Sequence, residues 1–401
     1  MVYAAVLGFG TVGSGVVELI DKYQDMIRRA VPEGICVRYI LDIRSFPDSP
    51  YGNLVTDDFD RIINDPEISV ICEVMGGTGA AYQFTKSALS KGISVCTSNK
   101  ELVILKGAEL TALAEANNCH YYFEASVGGG IPLIRPMIEC LAQERITAVT
   151  GILNGTTNYM LTRMRDEGAE FEEVLKQAQQ MGYAEMDPSA DVEGHDACRK
   201  ISILASLLCG KQVDPEQVPC SGITDVIPDD FEAAGLFDCR IKLLGDMRVD
   251  ENGNVNVVTG PFFIPVSHPL AGVDGVFNAV CIHGEMVDDI MFYGRGAGKD
   301  ATASAVAADV LKAAGNEKGT KGYGWKSEPA DAYDPDRALY RYLLRTGKND
   351  AASMQDRNEI IRAAGPVGAE GHMYLETAVI SESELKELAL GLNAQAVYRF
   401  L

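Results

Sequence analysis

Between Gly182 and Lys200 the chain carries Glu185, Asp187, Asp191, Glu193 and Asp196 before the lysine. Carboxylates can hold the ammonium or hydroxyl groups of a small polar substrate. A lysine beside them can stabilise negative charge developing on oxygen and then deliver a proton. Downstream, Ile201, Leu204, Ala205 and Leu208 recur at helical spacing and form one apolar stripe. Lys200 borders that stripe, with Asp196 one turn back on the same edge, while Arg199 and Ser202 point away. Lys200 is therefore the cation placed to sit half buried at a cleft. A solvated i,i+4 Asp–Lys pair, worth a few tenths of a kcal/mol, explains the same spacing equally well.

This segment follows a plausible dinucleotide-binding fold. Residues 2–7 read as a buried strand, followed by Gly8-Phe9-Gly10-Thr11-Val12-Gly13, helical period over 16–30, and a second strand over 35–41. Glycines at this spacing allow a tight turn, close backbone approach to a pyrophosphate and a helix N-terminus aimed at the anion. Asp42 is placed to take the adenosine ribose hydroxyls of NAD, although it lies beyond the usual spacing of about 20 residues. Arg44 is placed to take the 2′-phosphate of NADP instead, and the two readings stay open.

Strand–helix alternation continues through 69–74, Gly76-Gly77, 80–91, 93–97, Ser98-Asn99-Lys100, 102–117 and 120–124. Ligands of open α/β sheets bind beyond the carboxyl ends of the strands, where Lys100 stands; a solvated lysine opening a helix fits the position as well. Glu124, Val127, Gly129 and Ile131 lie in a glycine-rich turn whose oxygens suit a hard monovalent cation. On these residues alone, an ion-free helix-entry turn is the simpler reading. The histidines lack metal-ligand spacing, and carboxylates around Cys198 oppose thiolate formation.

The elements that position these groups define an α/β protein. We expect a Rossmann-type doubly wound parallel sheet over 1–125, and an α+β catalytic and dimerisation domain over 126–320. Its helix at 299–314 is expected to pack back on the Rossmann domain. A linker over 321–336 leads to a small α+β module at 337–401, read as strand 338–345, helix 357–364, strand 373–380, helix 382–392 and strand 396–401. A net charge of −22 excludes nucleic acid and anionic lipid as partners. No apolar run approaches the roughly 18 residues of a membrane span. Ten cysteines without a C-x-x-C pair, and an N-terminus without secretory character, point to reduced thiols in a cytoplasmic protein.

Together these segments resemble homoserine dehydrogenases over roughly residues 1–320. The resemblance rests on Gly-Ile-Leu-Asn-Gly-Thr-Thr-Asn-Tyr at 151–159, Gly-Tyr-Ala-Glu-Met-Asp-Pro at 182–188 with Asp191, Gly194, Asp196, Arg199 and Lys200, Ser98-Asn99-Lys100, and Gly296-Ala297-Gly298. It implies interconversion of L-aspartate 4-semialdehyde and L-homoserine with NAD or NADP, in threonine and methionine biosynthesis. Lys200 is implied as proton donor, with Lys100 lining the same site. Glu185, Asp196 and Asp191, with Gly155 and Thr156, are implied on the substrate. The glycine turn at 8–13, Asp42, Arg44, Gly76, Gly77, Ser98, Lys100, Gly182 and Gly298 are implied on the cofactor.

A monovalent cation, sodium or potassium, is implied at Glu124, Val127, Gly129 and Ile131, reversing the reading of the residues alone. A homodimer or dimer of dimers is also implied. Lys299-Asp300 is a more charged pair than the family usually carries. The C-terminal module resembles an abbreviated ACT-type domain, one strand short, with Gly347-Lys348-Asn349-Asp350 in place of the usual Asp-Arg-Pro-Gly turn. The competing readings are another amino-acid or semialdehyde oxidoreductase, and a nucleotide-binding sensor with a dead site.

Overall fold

The computed structural model describes residues 1–315, 323–348 and 359–401. From the N-terminus, strands and helices alternate: β1 (Val2–Leu7), α1 (Thr11–Lys22), α2 (Gln24–Ala30), β2 (Ile35–Leu41), β3 (Val55–Thr56), α3 (Phe59–Ile63), β4 (Ile68–Glu73), α4 (Gly79–Ser90), β5 (Ser94–Thr97), α5 (Lys100–Ala116) and β6 (Tyr121–Tyr122). The six strands form one sheet in the order β3-β2-β1-β4-β5-β6, with every pair parallel. This is the doubly wound sheet expected. The buried runs Ala4–Leu7 and Val70–Cys72 show why: a strand covered on both faces is apolar at successive positions. The helix expected over 16–30 is broken at Tyr23 into α1 and α2. The expected strand at 120–124 shrinks to two residues, because Glu124–Ser126 turn into a 3-10 helix.

The chain continues with β7 (Ile146–Ile152), α6 (Gly155–Glu167), α7 (Phe171–Gln180), α8 (Ser189–Val192), α9 (His195–Cys209), β8 (Lys211–Gln212), α10 (Pro228–Leu236), β9 (Cys239–Val249), β10 (Val255–Pro265), β11 (Phe277–Gly284), β12 (Asp288–Arg295) and α11 (Lys299–Ala314). The last described stretch holds β13 (Lys326–Pro329), β14 (Leu339–Tyr340), β15 (Tyr342–Thr346), β16 (Ile360–Val367), β17 (His372–Thr377), β18 (Ile380–Ser381), α12 (Glu382–Gly391) and β19 (Ala396–Phe400). Nine strands build a mixed sheet in the order β12-β11-β7-β9-β10-β19-β15-β17-β16.

Two compact units result. The first comprises 1–143, 206–212 and 294–330; the second comprises 144–205, 213–293 and 331–401. In the first, α11 packs against α1 so closely that a Cβ on Gly15 would lie 2.9 Å from Ala303 Cβ. Between the segments expected as central domain and C-terminal module, residues 326–329 pair with β8, and Ala332 accepts from Val257 N at 2.8 Å.

In the second unit, the strands of 342–400 continue the central sheet through parallel pairing of β19 with β10. Taken alone, β15, β16, β17 and β19 stand in spatial order fourth, first, third, second, as in a ferredoxin-like βαββαβ unit. The reading of this module as one strand short is corrected: residues 360–364, expected in a helix, lie in strand β16. β16 is an edge strand with seven of its eight positions partly or well exposed in succession, so it lacks the alternation that marks a half-buried strand. Residues 357–358 of that expected helix, and Asn349-Asp350 of the turn, lie outside the described residues.

Asp230, fully buried on α10, ties these strands to the helix. Its carboxylate accepts from Arg345 Nη1 (2.6 Å), Tyr398 Oη (2.7 Å), Tyr374 Oη (2.9 Å) and Ile227 N (2.8 Å). No helix among the described residues is long and apolar enough to cross a membrane.

Candidate active site

At the end of β1 the chain turns through Gly8, whose φ of +97° disfavours any side chain. A Cβ on Gly13 would lie 1.9 Å from Gly8 O, so only glycine lets α1 begin this close to the strand. Gly10 precedes α1 and has open space where its Cβ would stand. Phe9 N donates to Asp42 Oδ2 at 2.9 Å, locking the turn onto the end of β2. This is a fitting cradle for a dinucleotide pyrophosphate: exposed backbone, no side chain in the way, and a helix N-terminus behind it.

Asp42 and Arg44, alternatives in the sequence, are partners in the structure. Arg44 gives Asp42 its backbone N–H and Nε at 3.0 Å and Nη2 at 2.8 Å. These bonds hold the Asp42 carboxyl far below the usual carboxylate range. The guanidinium lies over the Phe46 ring at 5.1 Å and is 60% exposed at its side chain, so it presents charge outward.

At the ends of β4 and β5, Gly76 and Gly77 have nothing within 4 Å of a notional Cβ. Asn99 Nδ2 donates to Gly77 O at 2.7 Å, while its Oδ1 caps α5 by accepting from Leu102 N. Asn99 thus joins the glycine loop to the helix that starts at Lys100, and Ser98 precedes it, partly buried. Glu73 is fully buried beside them. Thr97 Oγ1 and Met75 N donate to it, yet burial pushes its carboxyl up to about 7. Neither Asn99 nor Glu73 was expected. The cap spacing Asn99-to-Leu102 was the available signal for one, whereas a single Glu ending a strand carries none.

Gly298, at φ +112°, caps α11 with open space at its Cβ position. The charged residue after it is accounted for: Lys299 Nζ pairs with Glu18 of α1 at 2.7 Å.

The loop expected to hold a cation, Glu124 to Ile131, is buried except at Gly130. The Glu124 carboxylate is taken up by three amides: Leu133 N (2.6 Å), Ile134 N (2.8 Å) and Arg135 N (2.8 Å). These three bonds fix the carboxylate of the residue that opens the loop. Glycine is required here. A Cβ on Gly128 would lie 2.2 Å from Ile131 O, and one on Gly129 (φ +56°) would lie 2.1 Å from Gly296 O. Neutral carbonyls in a tight turn fit a monovalent ion. Among the described residues no cluster of three or more His, Cys, Asp or Glu is arranged for a metal.

In the second unit, β7 runs into Leu153 and Asn154, and Asn154 caps α6 by accepting from Thr157 N at 2.8 Å. The same side chain donates through Nδ2 to Asp191 Oδ1 (2.7 Å) and Asp196 Oδ2 (2.9 Å). Lys200 Nζ then donates to Asp196 Oδ2 (2.7 Å) and Leu153 O (2.8 Å). Lys200 is only 8% exposed and Asp196 3%. The buried pair, rather than the solvated one, is what the chain forms.

Asn154, unassigned in the sequence reading, is the hub of this group. Gly155 beside it cannot be enlarged, because its Cβ would lie 2.7 Å from Val276 O. Thr156 Oγ1 donates to Tyr183 O at 2.7 Å, tying α6 to the loop that carries Gly182 (φ +74°) and Glu185. Glu185 itself is exposed, and its carbonyl accepts from Gln179 Nε2 at 3.1 Å. Asp187 serves its own turn by accepting from Ser189, and Glu193 faces His195 at 3.2 Å.

Two expectations for α9 are overturned. Ser202 does not point to solvent but is fully buried, donating to Cys198 O at 2.8 Å. Cys198, expected to resist ionisation, is drawn below the ordinary thiol range by its neighbour Cys220.

Residues 132–311 match the family model for homoserine dehydrogenase, and residues 8–124 match the model for the homoserine dehydrogenase NAD-binding domain. The chain is 42% identical over 309 residues to the homoserine dehydrogenase of Bacillus subtilis (strain 168), covering 76% of this chain and 71% of the relative. It is 43% identical over 316 residues to that of Synechocystis sp., covering 77% and 72%. The crystal structure of a homoserine dehydrogenase from Thiobacillus denitrificans superposes with a TM-score of 0.90 at 30% identity, covering 100% of this chain and 98% of that one. A hyperthermophilic archaeal homoserine dehydrogenase mutant in complex with NADPH gives 0.65 at 26% identity, covering 78% and 97%.

Proposed function

The chain belongs to the homoserine dehydrogenase family, and from that premise we propose how its residues divide the reaction. It is an NAD(P)-dependent oxidoreductase acting on a CH–OH group, interconverting L-homoserine and L-aspartate 4-semialdehyde for threonine and methionine biosynthesis. The observation that carries the division of labour is the buried Lys200 ammonium, bonded to Asp196 and Leu153 O.

Lys200 is the proton donor. Its ammonium stabilises negative charge on the carbonyl oxygen and then protonates it; in the oxidative direction the neutral amine takes the hydroxyl proton. Asp196 aims the ammonium, and Asn154 aims Asp196. Asp196 and Asp191 receive the hydroxyl and ammonium end of the substrate, joined by Glu185 from its loop. Gly155 and Thr156 shape the floor. Lys100, at the start of α5, is the second lysine that the family resemblance assigns to the reaction. When bound, the nicotinamide supplies the hydride to the aldehyde carbon.

The turn at 8–13 holds the pyrophosphate, with Gly76, Gly77, Ser98, Gly182 and Gly298 offering backbone surface to the cofactor. NADP is the favoured form. A 2′-phosphate adds to the outward face of Arg44, whereas a ribose diol must displace Arg44 from Asp42. Glu124, Val127, Gly129 and Ile131 are the residues that would hold sodium or potassium, which would stiffen the loop. The protein works in the cytoplasm as a homodimer or dimer of dimers, with residues 337–401 as an ACT-like module.

The test is direct. Purified protein should oxidise NADPH when given L-aspartate 4-semialdehyde; a folded protein inert with both NADPH and NADH overturns the reading.

A further inference from the structure

A second buried lysine in the same unit takes no part in the proton transfer. Lys242, on β9, is 1% exposed. Its Nζ donates to Val273 O (2.5 Å), Asp274 Oδ1 (2.9 Å) and Asn158 Oδ1 (3.1 Å). An ammonium has three protons to give, and all three are placed. Burial draws this ammonium below the ordinary lysine range, against the pull of Asp274. The charge stands where an apolar side chain of the same length would cost less.

The three acceptors belong to two pieces of chain, α6 and the segment 273–277 that leads into β11. The same pieces are joined at further points. Asn158 Nδ2 donates to Val273 O (3.1 Å) and Phe277 O (3.0 Å). Thr162 Oγ1 accepts from Gly275 N at 3.0 Å, and Arg165 holds both oxygens of Asp274, at 2.9 and 3.1 Å. At the first turn of α6 the two pieces touch: a Cβ on Gly155 would lie 2.7 Å from Val276 O and 3.3 Å from Asn278 Oδ1. Asn158 N donates to Asn154 O at 3.3 Å, and Asn154 in turn bonds Asp191 and Asp196.

We propose that Lys242 is a positioning residue for the substrate: it holds the 273–277 segment against α6 and so sets the floor at Gly155 and Thr156. The inference rests on the reading of Gly155 and Thr156 as substrate-facing. The Lys242 ammonium is committed to three protein acceptors, so it acts through the segment rather than on the reacting atoms. Without it, Val273 O, Asp274 and Asn158 Oδ1 each lose a donor, and the segment is free to move off Gly155. Lys200 keeps its own supports, Asp196 and Leu153 O. Substrate binding should therefore weaken while proton transfer and cofactor binding hold.

Lys242→Met keeps the length of the side chain and removes its charge. Wild type and variant are assayed with L-aspartate 4-semialdehyde and NADPH, each varied in turn. In the variant, KM for the semialdehyde is expected to rise about tenfold or more, as for a misplaced binding group. Its kcat per folded protein and KM for NADPH should stay within about twofold of wild type. A lysine that only stabilised the fold would lower Tm and the folded fraction and leave both KM values in place. That result overturns the proposal, and so does an equal rise in both KM values. Thr162→Val releases Gly275 N of the same segment without touching the lysine or any charge. It should show the same split at smaller size, and it carries the test if Lys242→Met does not fold. An unchanged KM for the semialdehyde in Thr162→Val overturns the proposal too. Wild-type protein inert toward the semialdehyde would overturn the dehydrogenase reading and this one with it, so the two failures are told apart.

Discussion

Lys200 and Asp196 are paired within one helix and share one direction: Nζ lies 2.7 Å from Asp196 Oδ2 and 2.8 Å from the carbonyl of Leu153, at the exit of β7. The ammonium is thereby held by a carboxylate and a strand end together, and it has little freedom to leave. Removing it should cost chemistry more than binding. Lys200→Ala is expected to lower kcat by about 10²–10⁴-fold, the usual range for a positioned general acid. NADPH affinity, followed by nucleotide fluorescence, should stay near wild type. Near-normal kcat in a folded variant would remove Lys200 from its role.

Arg44 should decide between the two nucleotides. A charge-assisted bond to the 2′-phosphate is worth about 1.5–3 kcal/mol. Arg44→Ala is therefore expected to lower kcat/KM for NADPH by about tenfold or more. The same change releases Asp42 for a ribose diol, so kcat/KM for NADH should hold or rise. Parallel loss with both cofactors would mean that Arg44 supports the turn rather than the phosphate.

Glu73 makes stability depend on pH. Burial raises its carboxyl from an ordinary 4.5 to about 7, against the opposing bonds from Thr97 and Met75 N. The folded protein holds this proton more tightly than the unfolded chain does. Its contribution is complete below about pH 4.5 and is lost as pH rises through about 7. Glu73→Gln is neutral throughout. Between about pH 5 and pH 8 its Tm should fall less than that of the wild type; identical slopes by calorimetry would rule this origin out.

Asp230 anchors Arg345, Tyr374 and Tyr398 at a point without solvent. Asp230→Ala leaves a buried guanidinium and two phenol hydroxyls without their acceptor. A cost of about 3–5 kcal/mol is expected in urea unfolding. A loss under about 1 kcal/mol, the worth of an exposed pair, would show that water fills the gap.

What the sequence displays well is periodicity and glycine. β1, the turn at 8–13 and β2 were legible because strand runs and glycine spacing are local. Lys200 and Asp196 were legible as neighbours from helical phase, but whether they lay in solvent was not, since Leu153 comes from a distant strand. Asn154 stood in the 151–159 motif without a role, because nothing local connected it to Asp191 and Asp196. β3 and α3 went unseen because elements this short carry no period. The Asp230 cluster joins residues from four separate elements, each an ordinary polar residue in its own stretch. β16 hid because exposed edge strands have no inward face to write an alternation.

β19 lies between β10 and β15, inside the nine-stranded sheet rather than at its rim. It is translated after every other strand of that sheet. It pairs with β10 only at Phe262 and Phe263, while Pro219, Ser221 and Ala332 bond the earlier part of the same edge at Val257 and Thr259. The edge of β10, the kind of template that recruits foreign chains, is therefore closed by three separate segments, of which β19 is the last in the chain.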